Sequence, residues 1–323
     1  MKTIDVTALG ELLIDFTENG LSEQGNPLLE ANPGGAPCNV LAMLARLGRR
    51  TAFIGKVGKD QFGFQLKGSV EEAGIDTRAL RMDDTVHTTL AFVHKKPDGD
   101  RDFSFYRNPG ADIMLREDEV DEELIASSRI FHFGSLSLTH PSVRQATRRA
   151  VALARQHGCL ISFDPNLREP LWPTLDEAKE QIAWGLGQCD VLKISDNEIQ
   201  WFTGKEDFDR GISVLQTEYG IPLILLSKGR DGSSAYYKGI RVDAAPFLQE
   251  NTVETTGAGD TFCACVLNYL LDHDPDALTS GEIREMLRFA NAAASLITTR
   301  KGALRVMPAR EEVEGLLASR TGD

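Results

Sequence analysis

The chain has no run of about 18 apolar residues, the length a membrane-spanning helix needs. Its first residues, MKTIDVTALGE, carry Asp5 early and contain no long apolar segment, so neither a signal peptide nor a membrane partner is expected. Cysteine is scarce. Cys38, Cys159, Cys189, Cys263 and Cys265 are five in number, scattered, and without zinc-ligand spacing. That pattern predicts reduced thiols and a cytoplasmic protein. Cys263 and Cys265 stand two apart in an expected helix, so they point to different sides and read as packing residues. Positive charge is in deficit: 35 Lys and Arg face 48 Asp and Glu, a net charge of −13. This argues against nucleic acid as a partner, although a local site can still oppose the field and hold a small anion. Two common phosphate loops are missing as well. There is no G-x-x-x-x-G-K-[ST], and no G-x-G-x-x-G follows the first strand-like run. A Walker-type NTPase and a standard Rossmann dehydrogenase are therefore disfavoured.

What is present fits one large α/β domain with a small appendage, in 323 residues. β-branched apolar runs occur at 4–9, 51–57, 129–134, 159–164, 190–195 and 222–227. Helical periodicity fills 37–48, 60–74, 141–158 and 175–188. This alternation predicts a mostly parallel sheet covered on both faces. HTTLAFVHK (87–95) and RDFSFYR (101–107) flank an Asp98-Gly99 turn, which predicts a hairpin. With residues 12–32, that hairpin predicts a small β appendage.

Residues 251–271 read NTVETTGAGDTFCACVLNYLL. Glycines let the backbone approach a ligand, and a helix start carries free N–H groups with partial positive charge. TGAGD before an apolar helix is thus an anion-binding device, with phosphate the natural guess. A carboxylate beside a bound anion repels it. Asp260 makes sense there if it takes a proton from a hydroxyl that attacks the phosphate. An ordinary helix N-cap in a glycine loop would also explain it. A second glycine pair, Gly34-Gly35 in NPGGAPCNV, leads into a helix with Asn39 in its first turns. Asn39 carries a donor and an acceptor, and Asp15 in GELLIDF accepts two hydroxyl bonds, so both suit a sugar. A turn with a capped helix accounts for the same residues.

GGAPCNV near one end, TTGAGDTF near the other and SKGRDG (227–232) between them resemble the ribokinase-like (PfkB-type) carbohydrate kinases. Agreement covers residues 4–308 through ARLGRRTAFIGKVGKDQFG, FSFYRNPGAD, FDPNLREPLW, KISDNEIQWFTG and FANAAAS. The GGAPCNV, FSFYR and FDPNLR forms look most like fructokinases. The resemblance implies a three-layer, doubly wound, mostly parallel α/β fold. Residues 1–11, 33–86 and 112–323 would form its main domain, and 12–32 with 87–111 a β-sheet lid. It implies an ATP-dependent kinase with Mg²⁺ that phosphorylates a hexose at a primary hydroxyl, D-fructose to fructose 6-phosphate.

By the same resemblance Asp260 is the catalytic base, and the N–H groups of Gly257, Ala258 and Gly259 hold the γ-phosphate. Asp15, Gly34, Gly35 and Asn39 contact the sugar. Arg107 reaches it from the lid, and Arg168 lies near substrate and phosphates. Lys228, Gly229, Gly232 and Gly259 match the nucleotide side, with Asn291 beside the adenine. Glu198 serves Mg²⁺ through water, although Ser195 replaces the usual Asn three residues before it. Glu254 replaces the usual Asp ahead of T-T-G, so with Thr256 and residues 298–304 it makes potassium binding an expectation. A homodimer through the lid is a further implication.

Two rival functions stay open. Arg107 and Arg168 could pair with a sugar-acid carboxylate, as a 2-keto-3-deoxygluconate kinase requires. A catalytically silent binding protein is the other rival, opposed by the intact Asp260 and TGAGD. His132, His140, Trp172 and Trp201 read as strand, loop and packing residues, and 118–124 as a solvated helix start.

Overall fold

The computed structural model describes residues 2–95 and 101–320. Its first half runs β1 (Ile4–Leu9), β2 (Leu13–Leu21), β3 (Pro27–Gly34), α1 (Ala36–Arg46), β4 (Thr51–Gly58), α2 (Gln61–Glu72) and β5 (Ile75–Asp83). There follow β6 (Leu90–Lys95), β7 (Arg101–Tyr106), α3 (Glu122–Ala126), β8 (Ser128–Gly134), α4 (Pro141–Gln156), β9 (Leu160–Asp164) and α5 (Leu175–Leu186). The remainder is β10 (Val191–Ser195), α6 (Asp196–Thr203), α7 (Phe208–Tyr219), β11 (Leu223–Ser227), β12 (Ser233–Tyr237) and β13 (Ile240–Ala244). Helices α8 (Ala258–Asp272), α9 (Ser280–Ile297) and α10 (Arg310–Ser319) close the chain.

Nine strands form the main sheet in the order β13-β12-β11-β10-β9-β8-β1-β4-β5. All its pairs are parallel except those made by β12. Strands β1 and β4 are buried along their whole length, as a sheet covered on both faces requires. One cover is built from α1, α8, α9 and α10, and the other from α4, α5, α6 and α7. Phe262, Val266 and Leu270 of α8 are each at most 4% exposed, and burying such side chains stabilises by roughly 1.5–3 kcal/mol apiece. The strand order reverses direction at β1, which has β4 on one side and β8 on the other. Open α/β sheets bind ligands outside the carboxyl ends of the strands at such a point.

A second sheet, β3-β2-β6-β7, stands apart from the first. Leu21, Leu28, Leu29 and Tyr106 on it remain exposed. Strands β6 and β7 pair antiparallel, and the Asp98-Gly99 turn between them lies outside the described residues. The helices expected from periodicity form with ends a residue or two shorter. Strands β5, β12 and β13 were not expected. β5 (IDTRALRMD) and β13 (IRVDA) are sheet edges broken by charged residues, and β12 (SSAYY) has no apolar run.

Helix α1 begins at a strained point. Gly35 caps it with φ 130°, and Pro37 stands in its first turn. A Cβ on Gly35 would come within 2.4 Å of the Glu11 carbonyl oxygen. Gly48 also has positive φ, at 87°, but open space around it. Gly35→Ala should therefore lower stability by roughly 2–4 kcal/mol in urea unfolding, against about 1 kcal/mol for Gly48→Ala. Equal losses would show that the 11–35 contact is not tight.

Candidate functional site

Helices α1 and α8 bring their N-termini to one cavity of about 260 Å³. Gly257, at φ 77°, turns the chain into α8 and places Asp260 in its first turn. Asn39, in the first turns of α1, donates from Nδ2 to Oδ2 of Asp260 over 2.8 Å. Its own Oδ1 is buried and has no partner among the described residues. An orphaned buried acceptor costs free energy until a donor arrives, and a sugar hydroxyl is such a donor. Burial raises the Asp260 pKa, while the Asn39 bond and the charges of Lys193 and Arg168 hold it down.

Asp15, on β2, faces the same space, and burial pushes its pKa up to about 7 against the pull of Arg168. A Cβ on Gly34 would lie 2.0 Å from Asp15 Oδ2, so a side chain there would displace the Asp15 carboxylate from its present position. Arg168 lies on the loop after β9. Asn166 turns that loop with φ 42°, and its N–H bonds Asp164 Oδ1 over 3.1 Å. Gly257, Gly259, Glu254 and Thr256 line the cavity on the α8 side. The Ala258 N–H is engaged by the Thr255 carbonyl at 3.2 Å, and Ala258 does not line the cavity.

Other expected residues lie elsewhere. Arg107 is buried in an ion pair: Nε and Nη2 reach Asp112 Oδ2 at 2.8 and 2.5 Å, and Nη1 reaches Thr139 Oγ1 at 3.1 Å. Its guanidinium is thereby spent on Asp112, Thr139 and the Leu136 carbonyl and does not line the cavity. Asn291 donates to the carbonyls of Ala244 and Ala245, bracing α9 against the segment after β13. Lys228 pairs with Asp243 at 3.5 Å. Gly229 (φ 52°) and Gly232 (φ 82°) shape the tight turn after β11, where a Cβ on Gly232 would meet the Ala244 oxygen at 2.3 Å. Glu198 caps α6: Oε2 accepts from the Ser195 N–H and Oγ, and Oε1 accepts from the Leu167 N–H, all at 2.8 Å. It thereby fixes the loop that carries Arg168. His132, which burial keeps neutral with a pKa of about 3, bonds Ser162 and faces the core.

Sequence reasoning missed three participants. Glu11 follows β1, accepts from the Ala36 N–H over 2.9 Å, and is pushed by burial to a pKa of about 7. Lys193, from β10, lines the cavity and pairs with buried Asp164 at 3.0 Å. Burial disfavours the Lys193 ammonium, but Asp164, Glu198 and Asp260 outweigh that and raise its pKa. A carboxylate directly after the first strand (GEL) was a legible signal, whereas a lysine in a buried strand (KIS) signals only burial until the fold places Asp164 beside it.

Helix-start N–H groups and a desolvated carboxylate beside a hydroxyl-sized acceptor make a site for phosphoryl transfer to an alcohol. The description "pfkB family carbohydrate kinase" matches residues 3–310. The chain belongs to this family. It is 40% identical over 314 residues to "Probable fructokinase-4" of Arabidopsis thaliana, covering 97% of this chain and 96% of that one. Its fold superposes on a fructokinase with bound ATP from Xylella fastidiosa with a TM-score of 0.90, at 30% identity, covering 99% and 100% of the two chains. A doubly substituted fructokinase from Vibrio cholerae O395, with fructose, ADP and potassium bound, gives a TM-score of 0.86 at 28% identity over 98% and 99%. No helix among the described residues of this family member is long and apolar enough to cross a membrane.

Folding retains the Asp15 proton up to about pH 7, whereas the unfolded carboxyl releases it near 3.8. The folded state therefore binds more protons in between, and stability is lost as pH rises through that window. Asp15→Asn should melt at least about 2–4 °C higher than the parent at pH 8, with the gap closing toward pH 4. A gap that widens toward pH 4 would contradict the shift.

Proposed function

We propose that the chain transfers the γ-phosphoryl group of ATP to the primary 6-hydroxyl of D-fructose. The observation that carries this reading is the Asn39–Asp260 bond at 2.8 Å beside the α8 N-terminus. It joins a hydroxyl-recognising side chain, a base and an anion site in one cavity. The fructokinase relatives supply the sugar.

Asn39 and Asp15 hold the sugar, with Gly34 and Gly35 leaving it room. Asp260 takes the proton of the attacking hydroxyl. The sugar oxygen bonds to the γ-phosphorus as the bond to ADP breaks, and the proton stays on Asp260 until solvent removes it. The N–H groups at the start of α8, about Gly257 and Gly259, stabilise charge on the transferred group. Arg168 balances charge beside them. We assign Lys228, Gly229, Gly232 and Asn291 to the walls of the nucleotide site, with Asn291 acting through the backbone it braces. Magnesium, held chiefly by ATP phosphates and water, would supply charge neutralisation, and Glu198 lies where only its remaining lone pairs can meet such water. Glu254 Oε1 accepts from the Gly302 N–H at 2.7 Å and so joins the two segments of an oxygen-rich loop pair suited to potassium. A sugar acid is the weaker reading. Arg107 is committed to Asp112, so two guanidiniums do not converge on a substrate carboxylate. We place the protein in the cytoplasm, where its buried free thiols stay reduced. We also propose pairing through the exposed leucines of the lid sheet, which sedimentation reads directly.

An ATP-dependent panel of fructose, glucose, ribose, mannose, 2-keto-3-deoxygluconate and adenosine should give its highest kcat/KM for fructose. Asp260→Asn should lose about 10²–10⁴-fold in kcat. A lead for the keto acid would overturn the substrate. Undiminished turnover by Asp260→Asn would overturn the chemistry.

A further inference from the structure

We propose that Lys193 is a catalytic residue, whose ammonium donates to a non-bridging oxygen of the γ-phosphoryl group during transfer. The inference rests on the kinase reading above and deepens it.

Lys193 leaves β10 with its side chain only 7% exposed, and its Nζ stands 3.0 Å from Asp164 Oδ2. Taking two charges out of water is costly, and apolar replacements of buried ion pairs are often neutral or stabilising. Packing alone does not call for a lysine here. Asp164 is the one hydrogen-bond partner of the ammonium among the described residues, and an ammonium has three donors. The others are available to a ligand in the cavity that Lys193 lines.

Gly259 gives the second, independent observation. Its backbone is ordinary helix, without positive φ, so conformation does not demand glycine. Space is tight instead: a Cβ at 259 would lie 3.0 Å from Lys193 Nζ and 3.5 Å from its Cε, so the ammonium would have to give by a few tenths of an ångström. The glycine lets the ammonium reach the first turn of α8. A cation beside a helix N-terminus is electrostatically unfavourable, because both are positive. Asp164 behind it offsets part of this, and an anion bound between the lysine and the helix offsets the rest. The group that fits is a phosphoryl group, one step from Asp260. In the reaction the hydroxyl proton goes to Asp260, the sugar oxygen bonds to phosphorus, and the electron pair of the broken bond leaves with ADP. Lys193 keeps its protons throughout and carries charge.

The test uses the full chain with Lys193→Met, and with Lys193→Met/Asp164→Asn so that no carboxylate is left buried and unpaired. Gly259→Ala, which keeps both charges but crowds Nζ, serves if those variants fold poorly. Fructose affinity by calorimetry should stay within about threefold in the double variant, while kcat falls about 10²–10³-fold, as for loss of a charge-stabilising donor. Affinity for ADP with aluminium fluoride, in the presence of fructose, should fall by a similar factor. Gly259→Ala should lose about tenfold in kcat by the same reasoning. A folded double variant that keeps kcat and aluminium fluoride affinity within about threefold would overturn the assignment, as would an unaffected Gly259→Ala. Absence of ATP-dependent phosphorylation by the parent protein would remove the kinase reading and this one together. Turnover by the parent with no effect of the variants would remove only this one.

Discussion

The site depends on one contact between segments 221 residues apart in the chain: Asn39 to Asp260. Each residue lies in the first turns of a helix, and the two helices share one cover of the main sheet. Packing α1 against α8 therefore aligns two helix starts and sets a base against a hydroxyl-recognising amide. Neither helix could do this alone. The strained Gly35 and the left-handed Gly257 are the local conditions for it, since each turns the chain into a helix at the cavity edge.

Charge in the cavity is deliberately uneven. Glu11, Asp15, Glu254 and Asp260 face only Arg168 and Lys193 among the lining residues. Burial then pushes Glu11 and Asp15 to pKa values of about 7, and raises that of Asp260. Such a cavity stores electrostatic strain that hydroxyl donors and cations relieve, which suits a sugar arriving with a metal-bound nucleotide. It also explains why the few cations are held so firmly. Lys193 is pinned by Asp164, and Arg168 lies close enough to Asp15 and Asp260 to hold both carboxyl pKa values down.

Much of this was legible in the sequence, because the decisive features are local. Gly34-Gly35, TGAGD and the alternation of strands and helices each express a backbone requirement that short segments carry by themselves. Asp15, Asn39, Arg168, Gly257, Gly259 and Asp260 do meet in one cavity. What failed to show was tertiary. Arg107 sits in a motif that points at the lid, yet its direction is set by Asp112, Thr139 and Leu136. Glu198 is tied to a loop some thirty residues away, through Leu167. Lys193 hides in a strand whose pattern signals only burial, and its importance appears when Asp164 and Gly259 are placed beside it. The edge strands β5 and β13 lack an apolar run because their solvent-facing positions are charged.

The central claim is that Asn39 tunes Asp260 as a base. The direct measurement is the pH dependence of kcat/KM for fructose in the parent and in Asn39→Leu. The Asn39 bond holds the Asp260 pKa down, so its loss should raise that pKa and move the acid limb to higher pH. An acid limb that stays in place or moves to lower pH would contradict the account.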